Sequence, residues 1–567
     1  SGRPILEGYI DTHLISVIHV FVVALVIILL LLFLAFRKKR GFLLPLLAGS
    51  MSVVFSLAII NLFHLRLNPF TILLPFLIFV LTIAHSIQFM ERYFEESLIN
   101  KDKTKVGYTV LSSLLSPIRA SLFTDFLGFA SLILIPIPAM RTMAILGSFG
   151  VLSIFITVVL FLPSCFSVFP LPKIQKNNPD LGFTQRILKS FTHLWQRGWQ
   201  RFFIFFIFLG IFIISIYGLR HIEVGENEPG TSILYHNASY NVAERKINAY
   251  FSGSNPYYIF VEGKTPEALL KADVIKEMDS LETFLRKNLK EAGYSLSLAD
   301  YMKLMNLAVQ HRFDVPKKDK TIGEYIFLYE SNAFPGEFDV FVTPDHRFAN
   351  IRLDLKDCRG ETIEKAINLT KRWIKENNKN PWARFKYAGG LIGILGATND
   401  VIRHGLFVSM AVLSILIFIR ISLALRSFAG GFILFIPLLF SMAVTFGSFG
   451  LFHIPFTVAT LPVAAMGTGL GIDFSIYLAS RIKEEKDKGQ NLIVAINHGV
   501  LTCGKAVFFT GTILTIGVMS WLFSFLKLQA KLGGTLGFLL FLNMLSALII
   551  LPIFILIFKP KFLAGGK

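Results

Sequence analysis

From Pro455 to about Ser480 the chain stays apolar for longer than a bilayer is thick, and the run ends on Arg481-Ile482-Lys483-Glu484-Glu485. A run of that length reads as a membrane-spanning helix. Within it, Gly467-Thr468-Gly469-Leu470-Gly471-Ile472-Asp473-Phe474-Ser475-Ile476-Tyr477 carries one carboxylate, Asp473, into the hydrocarbon. An ionised group is costly there, and intramembrane acids mark ion, proton or substrate pathways by default. Gly467, Gly471 and Ser475 recur every fourth residue, with Gly469 between them, so one face is small enough for another helix to pack closely. The plainer alternative is a glycine-rich packing helix whose aspartate only pairs with a neighbour.

Composition agrees with a membrane protein. Of 567 residues, 53% are hydrophobic and 16% charged, with a mean hydropathy of +0.61, which excludes an ordinary soluble domain. A net charge of +19 would suggest nucleic acid if the basic residues formed a patch. They gather instead at the ends of apolar runs on one side, as membrane topology requires, so no nucleic-acid partner is expected. Cys165, Cys358 and Cys503 are scattered and odd in number, supporting neither a disulfide framework nor a metal site. No phosphate-binding Gly-x-x-x-x-Gly-Lys-Ser/Thr loop is present, so ATP-driven work by this chain is unsupported, and no cofactor is expected.

Eleven spans are expected, at about 15–36, 41–63, 69–90, 118–136, 143–169, 201–220, 403–424, 428–452, 455–480, 503–526 and 530–557. Residues 91–116 read as an interfacial helix. The resulting divisions are a tail at 1–14, a first set of five spans at 15–169, and a basic linker at 170–200. A lone span at 201–220, a polar domain at 221–402, five more spans at 403–557 and a tail at 558–567 complete the chain. Arg37-Lys38-Lys39-Arg40, Lys173, Lys176, Lys483 and Lys561 all fall on one side of the membrane, which places the polar domain on the other, periplasmic-type side. In that domain Asn255–Val261 reads as a strand and 265–289 as an amphipathic helix. Phe338–Val342 with Ala349–Leu355 reads as a hairpin, 361–377 as a helix and 384–394 as a strand, giving an α+β module.

The two halves repeat. Leu62-Phe63-His64 recurs as Leu451-Phe452-His453, and Arg92 with Glu95-Glu96 recurs as Arg481 with Glu484-Glu485, all at a shift of 389. Pro69-Phe70-Thr71 recurs as Pro455-Phe456-Thr457, and Phe123-Thr124 as Phe509-Thr510, at 386. Repeated halves of this kind are a transporter architecture. Gly8 falls opposite Gly396, so residues 1–14 read as the end of a first extramembrane domain whose bulk, with one further span, would precede them.

Six spans per repeat, a large domain after the first span, and Gly-x-Gly-x-Asp-Phe-x-Ile in the fourth resemble the resistance–nodulation–division superfamily. The likeness is to its lipid-exporter branch of mycobacterial-type large membrane proteins, hopanoid and sterol exporters, and Patched-like proteins. Ser297-Leu-Ala-Asp300-Tyr-Met-Lys303 is similar to a segment common in the extramembrane domains of that branch. The resemblance implies a polytopic helical membrane protein with a porter-like α+β domain, in the bacterial inner membrane. It also implies proton-driven export of a lipid-like substrate, with acids on the fourth span of each half taking up protons. Asp473 matches that position, whereas its first-half counterpart is Ala84, followed by His85, which titrates near neutral pH and can take over. Asp125 in the next span is an extra acid, opposite Gly511 and beside the counterpart of Thr510.

Depth groups the four. Asp473 is eight residues from Arg481, His85 seven from Arg92, Asp125 six from Arg119 and Thr510 five from Lys505. At the helical rise they lie roughly 8–12 Å above one boundary and can meet in the bundle interior. Lipids, protons and a lipid-like cargo are the expected partners, with a homo-oligomer or a complementing chain as a further possibility. Two rival classes remain open. One is a sterol-sensing-type receptor or scaffold of the same fold. The other is an intramembrane aspartyl protease, whose Gly-x-Gly-Asp motif is interrupted here by Ile472.

Overall fold

The computed structural model describes residues 3–36, 38–65, 68–172, 182–334 and 336–560. Arg37, Lys173, Lys176 and Lys561, counted above among the basic residues, lie outside the described residues. The chain forms two compact units. One comprises His13–Glu223 and Val401–Lys567, the other Ser1–Thr12 and Val224–Asp400.

Among the described residues, eleven helices are long and apolar enough to cross a membrane. They are called here spans one to eleven in chain order. In span three, Thr71–Ile99, and span nine, Leu461–Asp487, 83% and 100% of the most apolar stretch is buried, against 22% in span one, Ile15–Phe36, and 11% in span six, Gly198–Leu219. Spans three and nine therefore form the centre of the bundle. Val22, Val26, Phe33, Phe202, Phe206 and Ile213 on the outer spans are exposed, as lipid-facing side chains are in a bilayer.

The repeat is visible in matched contacts. Ser52 and Thr157 share a hydrogen bond of 2.8 Å, and Ser441 and Ser546, each 389 residues on, share one of 3.1 Å. Both Leu-Phe-His triplets end a span with the histidine in the left-handed region, His64 at φ 47° and His453 at φ 52°.

The separate interfacial helix expected over 91–116 does not form. Span three continues to Ile99, and span four, Lys103–Leu134, starts after a break at 100–102. Asp102 caps the new helix by accepting from the Thr104 backbone N–H at 2.9 Å. The polar residues that suggested an interface stay helical because partners on spans nine and ten satisfy them. Glu91 meets Lys505 at 3.0 Å, and Arg92 meets Glu484 at 3.1 Å.

In the second unit, four strands, β1 (Asn255–Gly263), β2 (Ala292–Leu296), β3 (Phe348–Leu355) and β4 (Ala383–Gly389), form an antiparallel sheet in the order β2-β3-β1-β4. Tyr257, Ile259 and Val261 alternate into a core shared with Met278, Leu281 and Leu285 of the helix Ala272–Asn288. The hairpin expected from Phe338–Val342 is present only at its end, where Val342 bridges Ala349 antiparallel; Phe338–Val340 is a 3-10 turn, and β3 pairs along its length with β1 and β2. Phe338 and Val342 are buried while Val340 is exposed, a spacing of four that suits a helical turn rather than a strand. The strand near 384–394 stops at Gly389, because Gly390 at φ +71° turns the chain into the helix Gly390–Leu425. Ser297 and Asp300, part of the segment singled out above, form a capping box that starts the helix Leu298–Gln310.

Candidate functional site

The glycines of span nine decide which helices approach it, and they do so on two faces. A Cβ on Gly467 would run into the tip of Leu539, and one on Gly471 into the amide of Asn543, so this face meets span eleven, Lys527–Phe558. Gly469 points elsewhere. A Cβ there would stand 2.7 Å from the Thr124 carbonyl oxygen and 3.2 Å from Asp125 Cα, and one on Gly128 would stand 3.2 Å from Gly469 Cα. Gly469 and Gly128 thus let the backbones of spans nine and four touch, which carries Asp125 to the level of Asp473. The glycine outside the every-fourth-residue face builds the site.

The helical hydrogen-bond pattern of span nine is interrupted at Ile472, and Asp473 is the first residue of the segment Asp473–Asp487. A carboxylate at a helix start faces the positive end of the peptide dipoles. Span three supplies His85 from the opposite repeat. Its Nε2 is 3.4 Å from Asp125 Oδ2 and 3.9 Å from Asp473 Oδ2, and its Nδ1 is 3.3 Å from the Tyr477 hydroxyl. His85, Asp125, Asp473 and Tyr477 are all buried. One donor atom from each of His85, Asp125 and Asp473 lies within 4.8 Å of the others, a spacing that a proton or a small cation can bridge. Asp125 Oδ1 and Asp473 Oδ1 are buried without a hydrogen-bond partner among the described residues.

Three of the four residues grouped by depth therefore converge. Thr510 is buried as well, but its hydroxyl donates to the Val507 carbonyl at 3.0 Å, as its counterpart Thr124 donates to Ser121 at 2.7 Å. Ser475 is buried with its hydroxyl unpaired among the described residues. Tyr477, which the grouping by depth did not include, is the residue that meets His85 instead. Its signal was present in the sequence, one helical turn after Asp473 on the same face.

The profile of the MMPL family matches residues 11–202 and 244–562, most of the chain and both repeats. The chain belongs to the MMPL family. Over 122 residues it is also 33% identical to a protein of Methanocaldococcus jannaschii named as a membrane protein, a match covering 22% of this chain and 31% of that one. The curated relative is thus spanned over about a third of its length. MMPL proteins are membrane transporters of the resistance–nodulation–division superfamily and not enzymes in general, so the protease reading of the Gly-rich motif falls away. In this MMPL chain the cluster is asymmetric: the positions equivalent to Asp473 and Tyr477 in the first repeat are Ala84 and Gln88.

Proposed function

We propose that this chain is a proton-driven exporter of a hydrophobic, lipid-like cargo, in which Asp473 takes up and releases a proton in each cycle with His85 and Asp125 as partners. The observation that carries the reading is the convergence of two carboxylates and an imidazole, contributed by both repeats, at the buried centre of the span bundle. Hydrocarbon surroundings penalise net charge, so the cluster is stable when neutral or internally paired. A protonated Asp473 leaves spans three, four and nine free to pack closely. An ionised Asp473 needs an imidazolium at His85, and its 3.9 Å separation must shorten for a full ion pair to form. The two charge states thus favour different helix positions, which is how a proton gradient can drive a conformational cycle. The basic ends of the spans support an inner-membrane orientation with residues 224–400 on the outer face.

The test uses the purified chain in vesicles with an imposed pH gradient and a fluorescent lipid analogue as cargo. Asp473→Asn is expected to fold and express like the unaltered protein but to lose gradient-driven transport. His85→Ala and Asp125→Asn are expected to change its pH dependence. If Asp473→Asn transports at the unaltered rate, the relay is wrong; if the unaltered chain itself moves no cargo under the gradient, a sterol-sensing-type receptor of the same fold takes the exporter's place.

A further inference from the structure

A second feature of the membrane unit lies at the Lys/Arg-rich ends of the spans. A cavity of about 490 Å³ opens there between spans one, three, four, nine and ten. Its walls mix hydrocarbon with charge of both signs: Leu34, Phe94 and Leu98 line it together with the cations Lys38, Arg92, Arg481 and Lys505 and the acids Glu91, Glu95 and Glu484. Most of the charges are already satisfied. Lys505 pairs with Glu91 at 3.0 Å, Arg92 with Glu96 at 3.0 Å, and Arg481 with Glu95 and Glu484.

Lys38 is the exception. Among the described residues it has no carboxylate partner, and its ammonium sits 4.8 Å over the Phe94 ring. Burial and then repulsion from Lys505 hold its amine below the ordinary lysine range, with Glu91 acting against them. An anion between Lys38 and Lys505 would relieve both costs. Leu34 and Leu98, on the cavity wall, are 50% and 54% exposed at span ends where acyl chains lie. Lys38 also belongs to the run Arg37-Lys38-Lys39-Arg40, and basic clusters flanking a span attract anionic lipid.

We propose that this cavity binds the phosphate headgroup of one anionic phospholipid, with Lys38 as its main cationic ligand, Lys505 as a second that it shares with Glu91, and the acyl chains leaving past Leu34 and Leu98. Tyr477 of the cluster around Asp473 also lines the cavity, but the binding proposed at Lys38 does not depend on what that cluster does.

Native mass spectrometry of the full chain in detergent, titrated with phosphatidylglycerol, tests it. The unaltered protein is expected to retain one phosphatidylglycerol per chain and to retain phosphatidylcholine much more weakly. Lys38→Gln is expected to weaken retention roughly fivefold or more, while Lys38→Arg and Lys39→Gln leave it nearly unchanged. Equal losses for Lys38→Gln and Lys39→Gln would mean diffuse surface attraction and overturn the site. So would equal retention of phosphatidylcholine, or displacement of phosphatidylglycerol by millimolar inorganic phosphate. If Lys38→Gln does not fold, the comparison of the two lipids and of inorganic phosphate on the unaltered protein decides the matter alone.

Discussion

Around His85 the arithmetic of charge is tight. An imidazolium with two carboxylates leaves one negative charge in excess, and a single added proton makes the cluster neutral. That neutral state is the one hydrocarbon surroundings penalise least, and Asp125 Oδ1 and Asp473 Oδ1 receive no hydrogen bond among the described residues. Tyr477 holds the far side of the ring, and only one of its two partners can use the same imidazole proton at a time. Tyr477→Phe is therefore expected to slow gradient-driven transport by roughly tenfold while leaving cargo affinity close to unaltered, a difference seen as a fall in kcat without a rise in KM. An equal KM effect would assign Tyr477 to cargo binding instead. In the unit of residues 224–400, Glu282 is a second buried acid with a different consequence. Ser295 donates to its Oε2 at 2.9 Å, and burial, reinforced by Asp300, raises its carboxyl from 4.5 to about 8. The folded state then holds a proton that the unfolded chain releases, so the stabilisation is complete below about 4.5 and is lost as pH rises through about 8. Glu282→Gln should flatten this loss: thermal melts of the full chain are expected to show the variant more stable than the unaltered protein above pH 8, with no such gain near pH 5. A variant that melts with the same pH slope as the unaltered protein would remove Glu282 as the cause.

At the scale of single elements, the two kinds of glycine in span nine make a sharp contrast. Alanine at 467 meets the end of the Leu539 side chain, which can turn away, whereas alanine at 469 meets the Thr124 carbonyl of a packed helix, which cannot. Gly469→Ala is expected to cost about 1–3 kcal/mol and to reduce transport by separating Asp125 from Asp473, while Gly467→Ala keeps most of both. Melting temperature and transport of the two variants, measured side by side, check the order; a reversed order would move the close contact to span eleven. Much of this architecture was legible in the chain itself. Long apolar runs leave few choices in a bilayer, so eleven spans and the internal repeat could be read before any coordinates. His85, Asp125 and Asp473 could be grouped because rise per residue converts chain distance from a basic boundary into depth. Facing direction could not be read that way. Thr510 has the right depth, yet a helical threonine can satisfy its hydroxyl on the preceding turn, as it does at Val507. Phe338–Val340 misled for a similar reason, since apolar residues two apart and four apart overlap in so short a run, and only Val342 keeps the expected bridge to Ala349. The role of Gly469 needed the partner helix, because nothing in span nine alone says which of its faces meets span four.

Over the whole membrane unit, the two repeats are tied together by ion pairs that cross between them. Arg481 Nη2 reaches Glu95 Oε1 at 2.6 Å, and Arg92 Nη2 reaches Glu484 Oε1 at 3.1 Å. Arg92 and Arg481 are repeat equivalents, as are Glu95 and Glu484, so one contact is the two-fold image of the other. Each arginine also holds an acid on its own helix, Arg92 with Glu96 at 3.0 Å and Arg481 with Glu485 at 3.3 Å, which fixes the guanidinium before the crossing bond forms. Arg92 and Arg481 are largely shielded from solvent, so these pairs are worth more than exposed ones, and removing one partner strands a charge. They lie at the ends of spans three and nine, the same helices that bring His85 and Asp473 together, so any rearrangement that separates the cluster must also strain or break the crossing. A double-mutant cycle separates the crossing bond from its neighbours. Arg92→Met, Glu484→Gln and the pair together, followed by thermal melts, are expected to give a coupling of about 0.5–3 kcal/mol, and Arg481→Met with Glu95→Gln a coupling of similar size. Symmetry makes the comparison demanding. A coupling near zero in both cycles would leave the repeats joined by packing alone, and a large coupling in only one would show that the two-fold relation does not extend to the energetics.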